Sequence, residues 1–148
     1  MTLKDKIIND MKEAMRDKDK IRLAALRSVK SALMLMETDA SGKKIEPEDE
    51  MKLLQKQVKQ RKDTAGVYQQ QNREDLAEIE LAEARVIESY LPESLSDEEI
   101  DAEVRKIIEE TNASGMKDMG KVMGIANKKL AGRAESKTIA DKVKQVLS

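Results

Sequence analysis

Ser96-Asp97-Glu98-Glu99-Ile100-Asp101-Ala102-Glu103-Val104-Arg105-Lys106-Ile107-Ile108 contains a complete helix signature. Ser96 with Glu99 three residues later is a capping box: each side chain satisfies the other's backbone N–H at a helix start. Acids crowd the first turn, where the helix dipole favours negative charge. Ile100, Val104, Ile107 and Ile108 then recur at the spacing of one helical face. Just upstream, Leu91-Pro92 ends whatever precedes it, because a residue before proline is biased away from helix. The stretch thus opens a second half of the chain.

The same grammar recurs on both sides. Downstream, Asn112-Ala113-Ser114-Gly115 breaks the helix, and Met119, Val122, Met123, Ala126 and Leu130 form the next stripe. Gly132 ends that helix, Ser136 is the expected cap of a last one, and Ile139, Val143, Val146 and Leu147 line it. Upstream, Thr2 caps a helix carrying Leu3, Ile7, Met11, Ala14 and Met15 on one face. Asp19 caps a second, with Ala25, Leu26, Val29, Leu33 and Met36 inward, and Asp39-Ala40-Ser41-Gly42 reads as a turn. Pro47 takes the first position of a third helix, with Glu48, Asp49 and Glu50 in its first turn and Met51, Leu54, Val58 and Ala65 as its stripe. The helical pattern runs on to Tyr90, too long for one globular helix, so a break is expected at Gln71-Asn72. Asn72 is the expected cap of a fourth helix, whose buried side is Leu76, Ile79, Val86, Ile87 and Tyr90. The expected fold is all-α: a four-helix part over 1–92 and a small three-helix part over 93–148, hinged near Pro92.

Composition agrees. The chain has 148 residues, two prolines and six glycines, and only Tyr68 and Tyr90 are aromatic, so the core must be aliphatic, with nine methionines as filler. There is no histidine and no cysteine. That excludes thiol and histidine-dependent catalysis and zinc sites with nitrogen or sulfur ligands. Neither a phosphate loop GxxxxGK[ST] nor GxGxxG occurs. No apolar signal segment and no run long enough to span a membrane is visible, and cysteine-free composition fits a cytoplasmic protein. The expectation is a binding module, with no catalytic residue, cofactor or metal.

A net charge of −1 hides strong segregation. From Glu93 to Glu110, eight acids face only Arg105 and Lys106. From Thr111 onward, Lys117, Lys121, Lys128, Lys129, Arg133, Lys137, Lys142 and Lys144 oppose Asp118, Glu135 and Asp141, a balance of +5. Lys117, Lys121, Gly124 and Lys128 are spaced to share a face, and glycine there lets a phosphate backbone approach. The plainer alternative is a solvated lysine face with a glycine that lets two helices pack. A second basic cluster, Lys52, Lys56, Lys59, Arg61 and Lys62, is interleaved with glutamines and suits phosphate and sugar contacts or merely a polar outer face. Glu74, Asp75, Glu78, Glu80, Glu83 and Glu88 suit Mg²⁺ or a solvated helix paired with Arg73 and Arg85; the latter is the better fit.

Two runs carry a resemblance. Lys59-Gln60-Arg61-Lys62-Asp63, Tyr68, Arg73-Glu74-Asp75-Leu76-Ala77, Glu80, Glu83 and Tyr90-Leu91-Pro92 resemble the YqeY family. So do Lys117-Asp118-Met119-Gly120-Lys121-Val122-Met123, Gly132-Arg133-Ala134 and Val143-Lys144. Departures are Glu135-Ser136, where Asp-Gly is common, and Thr64-Ala65-Gly66, where Ser-Ile-Glu is common and Gly66 is expected to weaken the helix. The family is similar to the C-terminal tail domain of the GatB subunit of the tRNA-dependent amidotransferase, which recognises the tRNA body while chemistry occurs on other domains. A related module is appended to some glutaminyl-tRNA synthetases.

The resemblance implies a non-catalytic, cytoplasmic tRNA-binding module. Its partners would be tRNA and an aminoacyl-tRNA synthetase or amidotransferase. Lys117, Lys121, Lys128 and Arg133 would hold phosphates, with Gly120, Gly124 and Gly132 shaping the surface and Lys59 and Arg61 as further contacts. A protein–protein adaptor is the alternative, and an accessory component of an amidotransferase a weaker one.

Overall fold

Why these residues form helices is visible at the caps. In the computed structural model, which describes residues 1–39, 42 and 44–148, α1 (Leu3–Arg16) starts at Thr2. Asp5 N–H donates to Thr2 Oγ1 and Thr2 N–H donates to the Asp5 carboxylate, each at 3.1 Å. The bond from the Thr2 N–H holds Asp5 below the usual carboxylate range. Helix α2 (Lys20–Glu37) starts at Asp19, which accepts from Arg22 N–H at 3.0 Å. Helix α3 (Pro47–Gln70) has proline in its first turn, and Glu46 N–H donates to the Asp49 carboxylate at 2.9 Å. Helix α4 (Glu74–Glu88) follows. Helix α5 (Asp97–Thr111) carries the capping box of Ser96 and Glu99. A single 3₁₀ turn (Met116–Asp118) leads into α6 (Met119–Lys129), and α7 (Ser136–Leu147) closes the chain. Among the described residues no strand occurs. Of the expected turn at Asp39–Gly42, Ala40 and Ser41 lie outside the described residues.

Three helices stop by one device. Lys18, Asn72 and Asn112 adopt left-handed φ values of 56°, 59° and 53°. At each, two N–H groups turn back onto the helix: Arg73 N–H to Tyr68 O at 2.8 Å and Asn72 N–H to Gln69 O at 3.1 Å are one example. This is the Schellman arrangement, which satisfies carbonyls that a helix end otherwise strands. It corrects the expectation for Asn72. That residue ends α3 rather than capping α4, because asparagine tolerates the left-handed region. The α4 cap is Arg73, whose guanidinium makes two 3.1 Å bonds to Asp75. Ser136 likewise is the first residue of α7, not its cap; Glu135 holds that place and the Ser136 hydroxyl lies 3.3 Å from Asn127 Oδ1.

The chain divides into two compact units, Met1–Leu91 and Pro92–Ser148. In the first, Ile7, Ala25, Leu26, Val29, Leu33, Leu54, Val58, Ala84 and Ile87 make one core, flanked by Met11, Met36 and Met51. Small buried residues, Ala65 on α3 and Ala77 and Ala84 on α4, let those two helices lie close along their length. That small-residue seam displaces the expected one on α4, leaving Ile79 43% exposed; on α1, Ala14 is the buried residue and its neighbour Met15 is 49% exposed. In the second unit, Ile100, Val104, Ile107, Val122, Ala126, Leu130, Ile139, Val143 and Leu147 form a separate core. No polar side chain is buried in either unit among the described residues.

Helix α3 runs unbroken through Gly66, where an added Cβ would meet nothing within 4 Å. Glycine inside a helix costs backbone entropy. Gly66→Ala should therefore stabilise the protein by about 0.5–1 kcal/mol, read as a higher urea midpoint with unchanged slope. A lower midpoint would mean that the space beside Gly66 is not open to a methyl group.

Candidate nucleic-acid interface

Helix α6 buries only Val122 and Ala126, with Leu130 just beyond its end. The opposite side is left to solvent, and helical spacing puts Gly120, Lys121, Gly124, Ile125 and Lys128 on it. All five are exposed, Ile125 at 39%. Lys117, also exposed, stands in the 3₁₀ turn that leads in. An added Cβ at Gly120 or Gly124 would meet nothing within 4 Å. Among the described residues of this unit, nothing packs against these glycines. Two glycines in eleven helical residues thus cost helix stability without a close contact among the described residues. Lys117, Lys121 and Lys128 make no ion pair among the described residues, whereas Lys129 pairs with Glu103 at 3.1 Å. That contact is ionic only, since Glu103 Oε2 lacks hydrogen-bond geometry to any partner. The result is a bare strip of backbone edged by free ammonium groups.

Arg133 does not lie on this helix. It follows Gly132, whose φ is +78°, and ties down the start of its unit. Its Nε donates to the Glu93 carbonyl at 3.3 Å, and its own carbonyl accepts Leu95 N–H at 2.9 Å. The Ser96 backbone bond, with a smaller contribution from Arg133, holds Glu99 below its ordinary value.

In the first unit the basic cluster of α3 is mostly paired. Lys52 meets Glu48 at 3.1 Å, Lys59 meets Asp63 at 3.2 Å and Lys62 meets Glu88 at 2.6 Å. Arg61 is the most committed. Its Nε donates to Glu83 at 3.2 Å, with the two side chains 14% and 16% exposed. Its Nη1 reaches Gln57 Oε1 at 3.2 Å. Among the described residues no three acids approach closely enough to hold a metal ion. Sequence reasoning missed a third polar cluster, which spacing alone does not signal. The Tyr90 hydroxyl donates to Asp10, and Arg22 lies 3.9 Å from Asp10 and 3.3 Å from Glu13. Burial, reinforced by the Asp10 carboxylate, pushes the Tyr90 phenol well above its ordinary value. The Tyr90–Asp10 contact joins the end of α4 to α1.

The sequence profile of the family described as Yqey-like protein matches residues 4–147. A relative named "Altered inheritance of mitochondria protein 41, mitochondrial" from Clavispora lusitaniae is 40% identical over 71% of this chain and 62% of its own length. The protein of the same name from Lachancea thermotolerans is 36% identical over 71% of this chain and 57% of its length. That from Kluyveromyces lactis is 31% identical over 91% of this chain and 70% of its length. The chain thus spans about three fifths of the length of the first two of these relatives. The cytoplasmic expectation is corrected here: relatives this similar are named as mitochondrial proteins, and absence of cysteine is compatible with that compartment too.

Proposed function

This chain belongs to the YqeY family, and we propose that it is a non-catalytic module that binds folded RNA of the tRNA class through the outer face of α6. The observation that carries this reading is the pair Gly120 and Gly124, open to solvent and edged by Lys117, Lys121 and Lys128 without anionic partners. Bare helical backbone admits a phosphate–sugar strand closely, and the ammonium groups supply charge without base specificity. No aromatic residue stands in this unit to stack an unpaired base, so shape and backbone are the recognised features. In this reading the parts on either side of Pro92, 1–92 and 93–148, are two subdomains, and the second carries the RNA. Arg133 is an auxiliary contact. Lys59 and Arg61 contribute less, since both already hold carboxylates. Absence of histidine and cysteine supports the non-catalytic part.

The test is binding of native and heat-unfolded tRNA across a salt series. Three phosphate contacts give a slope of log affinity against log salt of about −2 to −3. Native tRNA should bind more tightly than unfolded tRNA at every salt concentration. No detectable binding at low salt, or no preference for the folded form, would sink the reading.

A further inference from the structure

A second surface, on the first unit, has no part in that reading. Ser28 and Gln57 tie α2 to α3: Ser28 Oγ donates to Gln57 Oε1 at 3.0 Å and Gln57 Nε2 donates to the Ser28 carbonyl at 3.3 Å. Beside this tie the two helices leave an open groove of about 470 Å³. Ala32 and Met36 from α2 and Leu53 from α3 make its apolar floor; Lys52, Lys56 and Gln60 make the α3 wall. Leu35, next to Met36 on α2, is 73% exposed, the most exposed large hydrophobic side chain after Met1 among the described residues. Arg27, Ser31 and Leu35, four residues apart, form the outer row of α2 beside the groove.

Charge decides what fits. Lys56 and Arg27 are exposed and make no ion pair among the described residues. Lys52 is 46% exposed, with Glu48 as its neighbour. Among the described residues Asp49 is the one acid lining the groove, and it already accepts the Glu46 N–H at 2.9 Å. The α3 wall therefore presents two lysines over a floor of alanine, leucine and methionine, and Arg27 stands on the outer row of α2. That floor offers bases no aromatic surface, while methionine adapts to aliphatic side chains.

We propose that this groove docks an amphipathic α-helix of a partner protein, whose leucine-type stripe is flanked by Asp and Glu. The stripe seats on Ala32, Leu35, Met36 and Leu53, and the acids meet Arg27, Lys52 and Lys56. This is the helix-in-groove mode, in which apolar anchors at i, i+3, i+4 and i+7 give affinity and flanking charges give selectivity.

The test uses the full chain and two fluorescein-labelled, hydrocarbon-stapled helical peptides. Both carry leucines at i, i+3, i+4 and i+7; one has glutamates on its flanks, the other lysines at the same places. The glutamate peptide should bind about tenfold or more tightly than its twin. Lys52→Glu with Lys56→Glu should reverse that preference, and Leu35→Glu should weaken binding about fivefold or more, each with unchanged helicity by circular dichroism. These three sites are exposed or half-exposed, so folding should survive. Equal affinity for the two peptides, or no effect of Leu35→Glu, would overturn the proposal. So would loss of glutamate-peptide binding in Lys121→Glu/Lys128→Glu, since the peptide would then occupy the α6 face. If Lys52→Glu with Lys56→Glu abolishes tRNA binding and leaves both peptides unaffected, the groove is an RNA wall and the proposal fails.

Discussion

Lys121→Glu combined with Lys128→Glu should weaken binding of folded tRNA by about thirty- to a hundredfold at low salt. On the proposed reading the change removes two cations that would hold phosphates and puts two carboxylates in their place, together about 2–3 kcal/mol, at 1.4 kcal/mol per tenfold. The salt slope should fall by about 2, one for each lysine replaced. Both lysines are exposed and unpaired, so the thermal midpoint should hardly move. Gly124→Ala is the sharper companion. The space beside Gly124 is empty, so alanine should stabilise the helix by about 1 kcal/mol while weakening RNA binding. Opposite signs of stability and affinity at one position identify backbone contact. If Gly124→Ala leaves affinity untouched, the strand does not pass over α6, whatever the lysines do.

Arg61→Met should cost the protein about 2–4 kcal/mol, the largest stability loss expected from any surface-facing position. The substitution leaves the Glu83 carboxylate 16% exposed and without its cation, and removes the hydrogen bond to Gln57 Oε1. Arg61→Lys should recover only part of that, because an ammonium cannot reach both partners at once. Arg61→Met with Glu83→Leu should recover most of it, since no largely covered carboxylate is left without a cation. Lys59→Ala, two residues away in an ion pair 62% and 67% exposed, should stay within about 0.5 kcal/mol. Urea unfolding of the four variants reads this directly. If Arg61→Met costs no more than Lys59→Ala, the Arg61–Glu83 pair contributes nothing and Arg61 is free for other contacts.

What the sequence discloses and what it hides divide along physical lines. Caps made within four residues are legible: Thr2, Asp19 and Ser96 all accept the N–H groups that their patterns imply. The apolar stripes of α2, α5 and α7 are legible for the same reason, since one local period decides which face is buried. Asn72 and Ser136 misled because either residue serves at more than one place around a helix end. Ile79 misled because α4 is packed through Ala77 and Ala84, and alanine weighs little in a hydrophobic stripe. Arg61 with Glu83, 22 residues apart, and Tyr90 with Asp10, 80 apart, are long-range pairs that spacing does not encode. The bare glycines of α6 are a middle case. Their presence is obvious in the sequence, but only packing distinguishes a helix-crossing glycine from one left open to solvent.

Both tyrosines, Tyr68 and Tyr90, lie in Met1–Leu91, and the chain has no tryptophan or phenylalanine. Pro92–Ser148 is thus optically silent in the near ultraviolet. A melt followed by tyrosine emission or absorbance reports the first unit alone, weighted toward Tyr90, whose hydroxyl points at a carboxylate able to take its proton in the excited state. Only far-ultraviolet dichroism, calorimetry or amide exchange sees the second unit unfold. A tyrosine placed at Ile125 would give the second unit an optical signal on the outer face of α6.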